Sequence, residues 1–241
     1  MGCLAAPPGY FKAVRSICDE YGALLILDEV MCGMGRTGST HAWQQEGIAP
    51  DIQTVAKGLA GGYAPVSMLL MNQKIVDGLV AGGGYFNHGH THGSHAVACA
   101  AALQVQKIIH RDELLENVNL MGKRLELALK STLGNHPHVG DIRGRGLFWA
   151  VEFVEDKETK KAFPANVGIA RRIKHAGLKR SRGISLYPGS GTVDGVVGDH
   201  VIVSPPFNVT SGEIDKIVVL LTQVIEDVFN TTDVLGVKVP A

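Results

Sequence analysis

Two short stretches of this chain carry side chains able to do chemistry. The first is LLILDEV, residues 24–30, where the carboxylates Asp28 and Glu29 close an apolar run at the point where a buried strand would emerge. An Asp–Glu pair in that setting can manage magnesium and water in a nucleotide-hydrolysing domain. That chemistry also needs a phosphate cradle of the form GxxxxGKS or GxxxxGKT, and the sequence contains none. The second stretch is NHGHTHGSH, residues 87–95, with four histidines. His88, His90 and His92 sit two apart, so an extended backbone would turn all three imidazoles to one face, as a zinc site could use. Zinc would further require a fourth ligand and an outer shell of hydrogen bonds. Between the two stretches lies Lys57, flanked by an apolar run and glycines. Taken alone it is an ordinary lysine, and most lysines are exposed on loops.

The elements that must position these groups follow from hydrophobic spacing. Tyr10, Val14, Ile17 and Tyr21 are spaced as one helical face, and Gly22 supplies a left-handed stop, which predicts a helix over 9–21. ALLIL, residues 23–27, follows at once and predicts a strand buried on both faces of a parallel sheet. Residues 52–56 and 66–71 are two further candidate strands. The links GMGRTGST and KGLAGGYAP lie between them, where functional backbone sits in an α/β fold, just beyond strand ends.

Small side chains dominate residues 96–109, so a helix there can approach its neighbours closely. The next helix, about 112–131, aligns Leu114, Val118, Met121, Leu125 and Leu129, with Asp112 as its expected N-cap. A boundary near residue 110 divides the chain into domains of 1–110 and 111–241. Beyond it come a strand at 147–154, a basic helix around 167–175 and the strand-like HVIVS, residues 200–204. The last helix opens on a capping box, Thr210 to Glu213, and directs Ile214, Val218, Leu221, Ile225 and Val228 toward a core. The second module therefore reads as α+β.

Lys plus Arg equals Asp plus Glu at 23 each, so no net field draws the chain to nucleic acid or an anionic membrane. No apolar run approaches the roughly 18 residues of a membrane span. Cys3, Cys18, Cys32 and Cys99 form no CxxC pair, which leads us to expect reduced thiols and a cytoplasmic location.

Asp28, the loop GMGRTG at 33–38, Pro50-Asp51, Ala56-Lys57-Gly58 and GGYAPVS at 61–67, preceded by PPGYFKAVRSICDEYGALLILDEV, resemble the class III aminotransferases. The match runs in order over nearly the whole chain and corresponds to the C-terminal half to two-thirds of the family. The resemblance implies the fold of pyridoxal-phosphate (PLP) transferases of type I: a partial large domain with a mostly parallel sheet, followed by a small α+β domain. It implies PLP as cofactor, a small-molecule amino donor and a 2-oxo acid acceptor as substrates, and a homodimer. Lys57 takes the place of the lysine that attaches covalently to the cofactor, and Asp28 that of the carboxylate on the pyridine nitrogen. Thr91, in HGHTHGSH, takes the place of a threonine that donates to the cofactor phosphate of the neighbouring subunit, so the histidine run reads as a phosphate-contacting loop. The residue types suit the chemistry. An amine that bonds the cofactor, is displaced and then shuttles a proton must be available unprotonated, which burial beside a cationic ring favours. A carboxylate on the far side keeps the ring nitrogen protonated.

Four departures accompany the match. His92 and Ala96 replace the aromatic and the proline usual in the phosphate loop. Met31 stands where the family commonly has a glutamine that bonds the cofactor's phenolic oxygen, and a thioether cannot donate. VIVSPP, residues 201–206, lacks the arginine that often engages a substrate carboxylate; Arg143 and Arg145 are then either helpers or surface residues. The glycine-rich phosphate cup of the family's first half has no counterpart here. A truncated, inactive homologue serving as a structural or interaction module is therefore the alternative to an active aminotransferase.

Overall fold

In the computed structural model, which describes residues 2–230, helix α1 (Tyr10–Glu20) ends where Gly22 turns into left-handed backbone at φ +64. Its apolar face is only partly covered, with Tyr10 and Ile17 exposed. What anchors α1 is polar: Arg15 donates to Asp51 at 2.8 Å. Asp51 is buried and also accepts from the Leu25 amide at 2.8 Å and the Asn72 side chain at 2.9 Å, so one carboxylate ties four segments together.

Those segments flank a three-stranded sheet in the order β1 (Ile26–Asp28), β2 (Ile52–Val55), β3 (Met68–Met71). β1 and β2 are parallel, with Ile26 opposite Ile52 and Asp28 opposite Thr54, whereas β3 runs antiparallel to β2. The sheet is therefore mixed rather than mostly parallel. Nor is the ALLIL run covered on both faces: Leu25 is buried, but Leu24 and Ile26, which alternate onto the opposite face, are 46% and 57% exposed, so that face is left open; β1 is also an edge strand of this sheet. Helix α2 (Gln73–Ala81) is an element the sequence reading left out, although Ile75, Val76, Leu79 and Val80 fall at helical spacing; Asn72 caps it by accepting from the Ile75 amide. Helix α3 (Ala96–Arg111) is capped by the His95 ring, and its small residue Ala102 joins Met34, Val55, Leu59 and Ala60 in the local core.

The backbone forms two compact units, Ala6–Val118 and a second from Asn119 onward that takes in the residues up to Ala5. The division falls inside α4 (Leu114–Leu133). Asp112 closes α3 as its C-cap, instead of opening α4, because its backbone amide already bonds Ile108 in the preceding turn.

The second unit is built on an antiparallel sheet in the order β4 (Val139–Arg145), β5 (Phe148–Phe153), β7 (Asp199–Val203), β6 (Tyr187–Gly189). β4 was not legible as a strand, since Gly140 and Gly144 weaken the pattern. Gly144 is required by packing: a Cβ there would lie 2.2 Å from the Phe148 carbonyl oxygen. β7 is buried along its whole length, as is the apolar side of β5. Helix α5 (Ile169–Gly177) packs on α6 (Ser211–Phe229), whose capping box forms as the sequence predicts, with Glu213 and Thr210 bonding reciprocally. Phe153, Leu125, Leu129, Ile169, Ile173, Leu221 and Ile225 are fully buried, giving this unit a dense core of large side chains.

Candidate functional site

Asp28 is the last residue of β1, and Lys57 opens a single 3-10 turn (Lys57–Leu59) just past the end of β2. The two strands run parallel with Asp28 opposite Thr54, so both side chains leave the sheet at its carboxyl end. Open α/β sheets bind ligands at that end. One strand-to-strand step of ~4.8 Å and three residues of chain separate the two positions. Both side chains are exposed, so amine and carboxyl groups face a space open to a ligand, and the burial expected around Lys57 is not supplied by this chain's own residues.

Asp28 is held asymmetrically. Its Oδ1 accepts from the Val30 amide at 3.0 Å and the Thr54 hydroxyl at 3.1 Å, while among the described residues Oδ2 accepts no hydrogen bond. Lys57 adopts left-handed backbone at φ +46, a conformation that costs a non-glycine residue ~1 kcal/mol or more and clusters at functional sites. The surroundings enforce it. Gln106 on α3 donates to the Leu59 carbonyl at 2.8 Å, and Gly58 sits so close to Met34 that a Cβ would meet it at 3.3 Å. The GMGRTG loop is thus a packed turn beneath the lysine. Thr37 is buried with its hydroxyl on the Cys32 carbonyl, and burial pushes the Arg36 guanidinium down to about 10.

Met31 lies three residues past Asp28 and is 45% exposed, so its thioether is available at the same strand end without being able to donate. Thr91 is exposed on the histidine loop. That loop borders a groove of about 1230 Å³ shared with Tyr63, Met68 and Ala98. The histidines do not converge. His95 spends Nδ1 on the Ala98 amide and His90 spends Nδ1 on the His92 amide, and the His90 and His92 ring centroids are 6.4 Å apart. Among the described residues, no group of three His, Cys, Asp or Glu side chains is placed to hold a metal ion.

Arg143 is engaged on three sides in the second unit, bonding Asp141 at 2.9 Å, the Gly2 carbonyl at 2.8 Å and Glu152. That leaves its fork committed to structure. Reading the sequence alone missed Thr54 and Gln106. Thr54 reaches Asp28 only through strand register, and Gln106 reaches the lysine turn from 47 residues away.

An amine and a carboxylate at one end of adjacent parallel strands, followed in the chain by a separate antiparallel α+β unit, define a partial type I transferase fold. The chain belongs to the class III aminotransferases: the family model, Aminotransferase class-III, matches residues 1–225. An aminotransferase of Gibberella zeae is 56% identical over 218 residues, covering 90% of this chain and 42% of the relative. Taurine–pyruvate aminotransferase of Bilophila wadsworthia is 39% identical over 226 residues, covering 90% and 47%. Among solved structures, an (S)-enantioselective omega-transaminase of Thermomicrobium roseum superposes with a TM-score of 0.85 at 35% identity, covering 95% of this chain and 49% of that one. The chain spans about half the length of the relatives it matches.

Proposed function

We propose that this chain carries the lysine and carboxylate of a PLP-dependent aminotransferase, which moves an amino group between a primary amine or amino acid and a 2-oxo acid. The observation that carries the reading is the emergence of Asp28 and Lys57 from one end of the adjacent strands β1 and β2. The donor set fits the cofactor: a primary amine for its aldehyde, a carboxylate with one free oxygen for its ring nitrogen, and the Thr91 hydroxyl for its phosphate. When bound, PLP supplies an electrophilic carbon and a cationic ring that accepts electron density from the substrate's Cα. Lys57 Nζ would hold the cofactor covalently and, as a free amine, would carry the proton between carbons. Asp28 Oδ2 would hold the ring-nitrogen proton through a charge-assisted hydrogen bond.

The homodimer and the cytoplasmic location belong to the same reading. The first is supported by the exposed Thr91 loop and by Val97 and Leu103, which stand uncovered on α3. The second is supported by four free cysteines.

The test is the absorbance spectrum of the purified chain mixed with PLP. A visible band that borohydride abolishes, leaving the label on Lys57, is the expected result, and Lys57→Ala removes the band. In a catalytically competent version Lys57→Ala lowers turnover by at least about 10²-fold, the low end for a lost proton-transfer group. The exposure of both Asp28 and Lys57 favours a second reading, an inactive homologue with an open half-site. Absence of the band in the wild-type chain would select that one.

A further inference from the structure

We infer that Glu29 is a positioning residue for the cofactor carboxylate, setting the strand register that turns Asp28 outward with one oxygen free; this rests on the reading of Asp28 given above. Asp28 and Glu29 are consecutive, so they point to opposite faces of the strand end. Facing out, Asp28 pairs across the strands with Thr54 at 3.1 Å. Facing in, Glu29 pairs across the same strands with Gln53 at 2.8 Å. The two bonds are thus stacked on either side of one ladder. A slip of one residue would exchange the faces, burying Asp28 and exposing Glu29.

The inner bond is the more strongly determined of the two. Glu29 is 3% exposed and has three donors: the Gln53 side chain, the Ala42 amide at 2.7 Å and the Trp43 amide at 2.7 Å. Gln53 in turn accepts from the Trp43 indole at 3.0 Å and meets His41 Nδ1 at 3.0 Å, and the His41 and Trp43 rings stack. The main chain repeats the lock, with the Glu29 amide on the Thr54 carbonyl at 2.9 Å and the Gly33 amide on the Glu29 carbonyl at 3.0 Å. A side chain at Gly33 would lie 2.9 Å from Glu29 Oε2, so glycine there is part of the fit. A buried carboxylate with all its donors in place has no low-cost alternative position. Glutamine at 29 would keep the shape but turn an NH₂ group toward an N–H donor. The strand end would then be free to move, and Asp28 Oδ1 would lose its fixed partners.

The experiment uses the full chain loaded with PLP labelled with ¹⁵N at the pyridine nitrogen, comparing wild type with Asp28→Asn, Glu29→Gln and Thr210→Ala. The ¹⁵N shift reports the ring proton, and circular dichroism and thermal midpoints report the fold. The expected pattern is a protonated-ring signal in wild type and its loss in Asp28→Asn. Glu29→Gln shows partial or full loss with about tenfold weaker cofactor retention, the low end seen when outer-shell partners of ligating groups are removed at metal sites. Thr210→Ala, which lowers stability in the other unit, leaves the signal unchanged. Loss of the signal in Asp28→Asn with a wild-type signal in Glu29→Gln overturns the inference and leaves the Asp28 reading standing. No change in Asp28→Asn, or no bound cofactor at all, overturns both. Should Glu29→Gln fail to fold, Trp43→Phe keeps the charge at 29 and removes the indole that fixes Gln53. A reduced protonated fraction there supports the inference, and a wild-type signal overturns it.

Discussion

At the scale of single residues, buried ionisable groups set the conditions under which the molecule holds together. Burial by itself would raise Asp51, but the Leu25 amide, Arg15 and Asn72 outweigh it and bring its carboxyl down to about 2, from an ordinary value of 3.8. A carboxylate depressed in the folded state contributes stability that is present above its unfolded value and is lost as pH falls from about 4 toward 2. Asp51→Asn is expected to destabilise the unit of residues 6–118 by about 1–3 kcal/mol, because the Leu25 amide and Asn72 lose a charged acceptor while Arg15 keeps its bond to Asp19. Chemical denaturation followed from pH 5 to pH 2 checks this, because the variant should also lose that part of the acid dependence. His200 behaves in the opposite range. It is 4% exposed, pressed between Gly2 and Gly189, and among the described residues its Nδ1 finds no partner. Burial, and then the nearby Arg143 charge, lower its pKa, and Glu152 offsets this only in part. The folded state therefore favours the neutral ring. The unfolded chain takes up the proton near 6.5, so stability falls as pH drops through that value. Denaturation midpoints at pH 7.5 and 5.5 should differ in the wild type and differ less in His200→Leu.

At the scale of elements, caps and close packing decide where helices and strands begin. The Thr210–Glu213 box satisfies amides at the start of α6, with the Glu213 amide on the Thr210 hydroxyl at 3.3 Å and the Thr210 amide on Glu213 at 2.8 Å. Thr210→Ala is expected to cost about 0.5–2 kcal/mol of stability in urea unfolding, with no change in the PLP spectrum. Capping signals of this local kind were legible in sequence. Asp112 was not, because a residue between two helices can end one or start the other, and only the backbone path chooses. β4 was missed for a related reason: glycines at 140 and 144 carry little strand preference, so the packing of Gly144 against β5 supplies it. For α2 the local signals were present, in the spacing of Ile75, Val76, Leu79 and Val80 and in the Asn72 cap, and went unread.

At the scale of the whole molecule, the two units differ in how much apolar surface they close off. The unit from Asn119 onward encloses Phe153, Leu125, Leu129, Ile169, Leu221 and Ile225 completely. The cluster in the unit of residues 6–118 is smaller, formed by Met34, Val55, Leu59, Ala60 and Ala102, and that unit leaves Leu24, Ile26, Tyr63 and Met68 exposed. Hydrogen exchange of the isolated chain is therefore expected to protect β5, β7 and α6 far longer than β1–β3. Equal protection in both sheets would contradict this account. The chain covers about half the length of its relatives, and the weakly enclosed sheet is the one that bears Asp28 and Lys57. Binding of PLP should raise protection selectively there, since a ligand stabilises the part of the structure it contacts.

What the sequence determined by itself was chemical identity and local form. DEV, GMGRTG, AKG and the histidine run assigned the family, and helical spacing with Gly22 and Thr210 placed most helices, because residue type and short-range spacing act through contacts within a few positions. Tertiary structure alone decided that β3 turns antiparallel and that β1 stands at an edge. It also paired Thr54 with Asp28 and Gln53 with Glu29, and brought Gln106 to the lysine turn. Those features depend on which strands become neighbours and in what register, and that is settled by burial and hydrogen bonding between segments far apart in the chain.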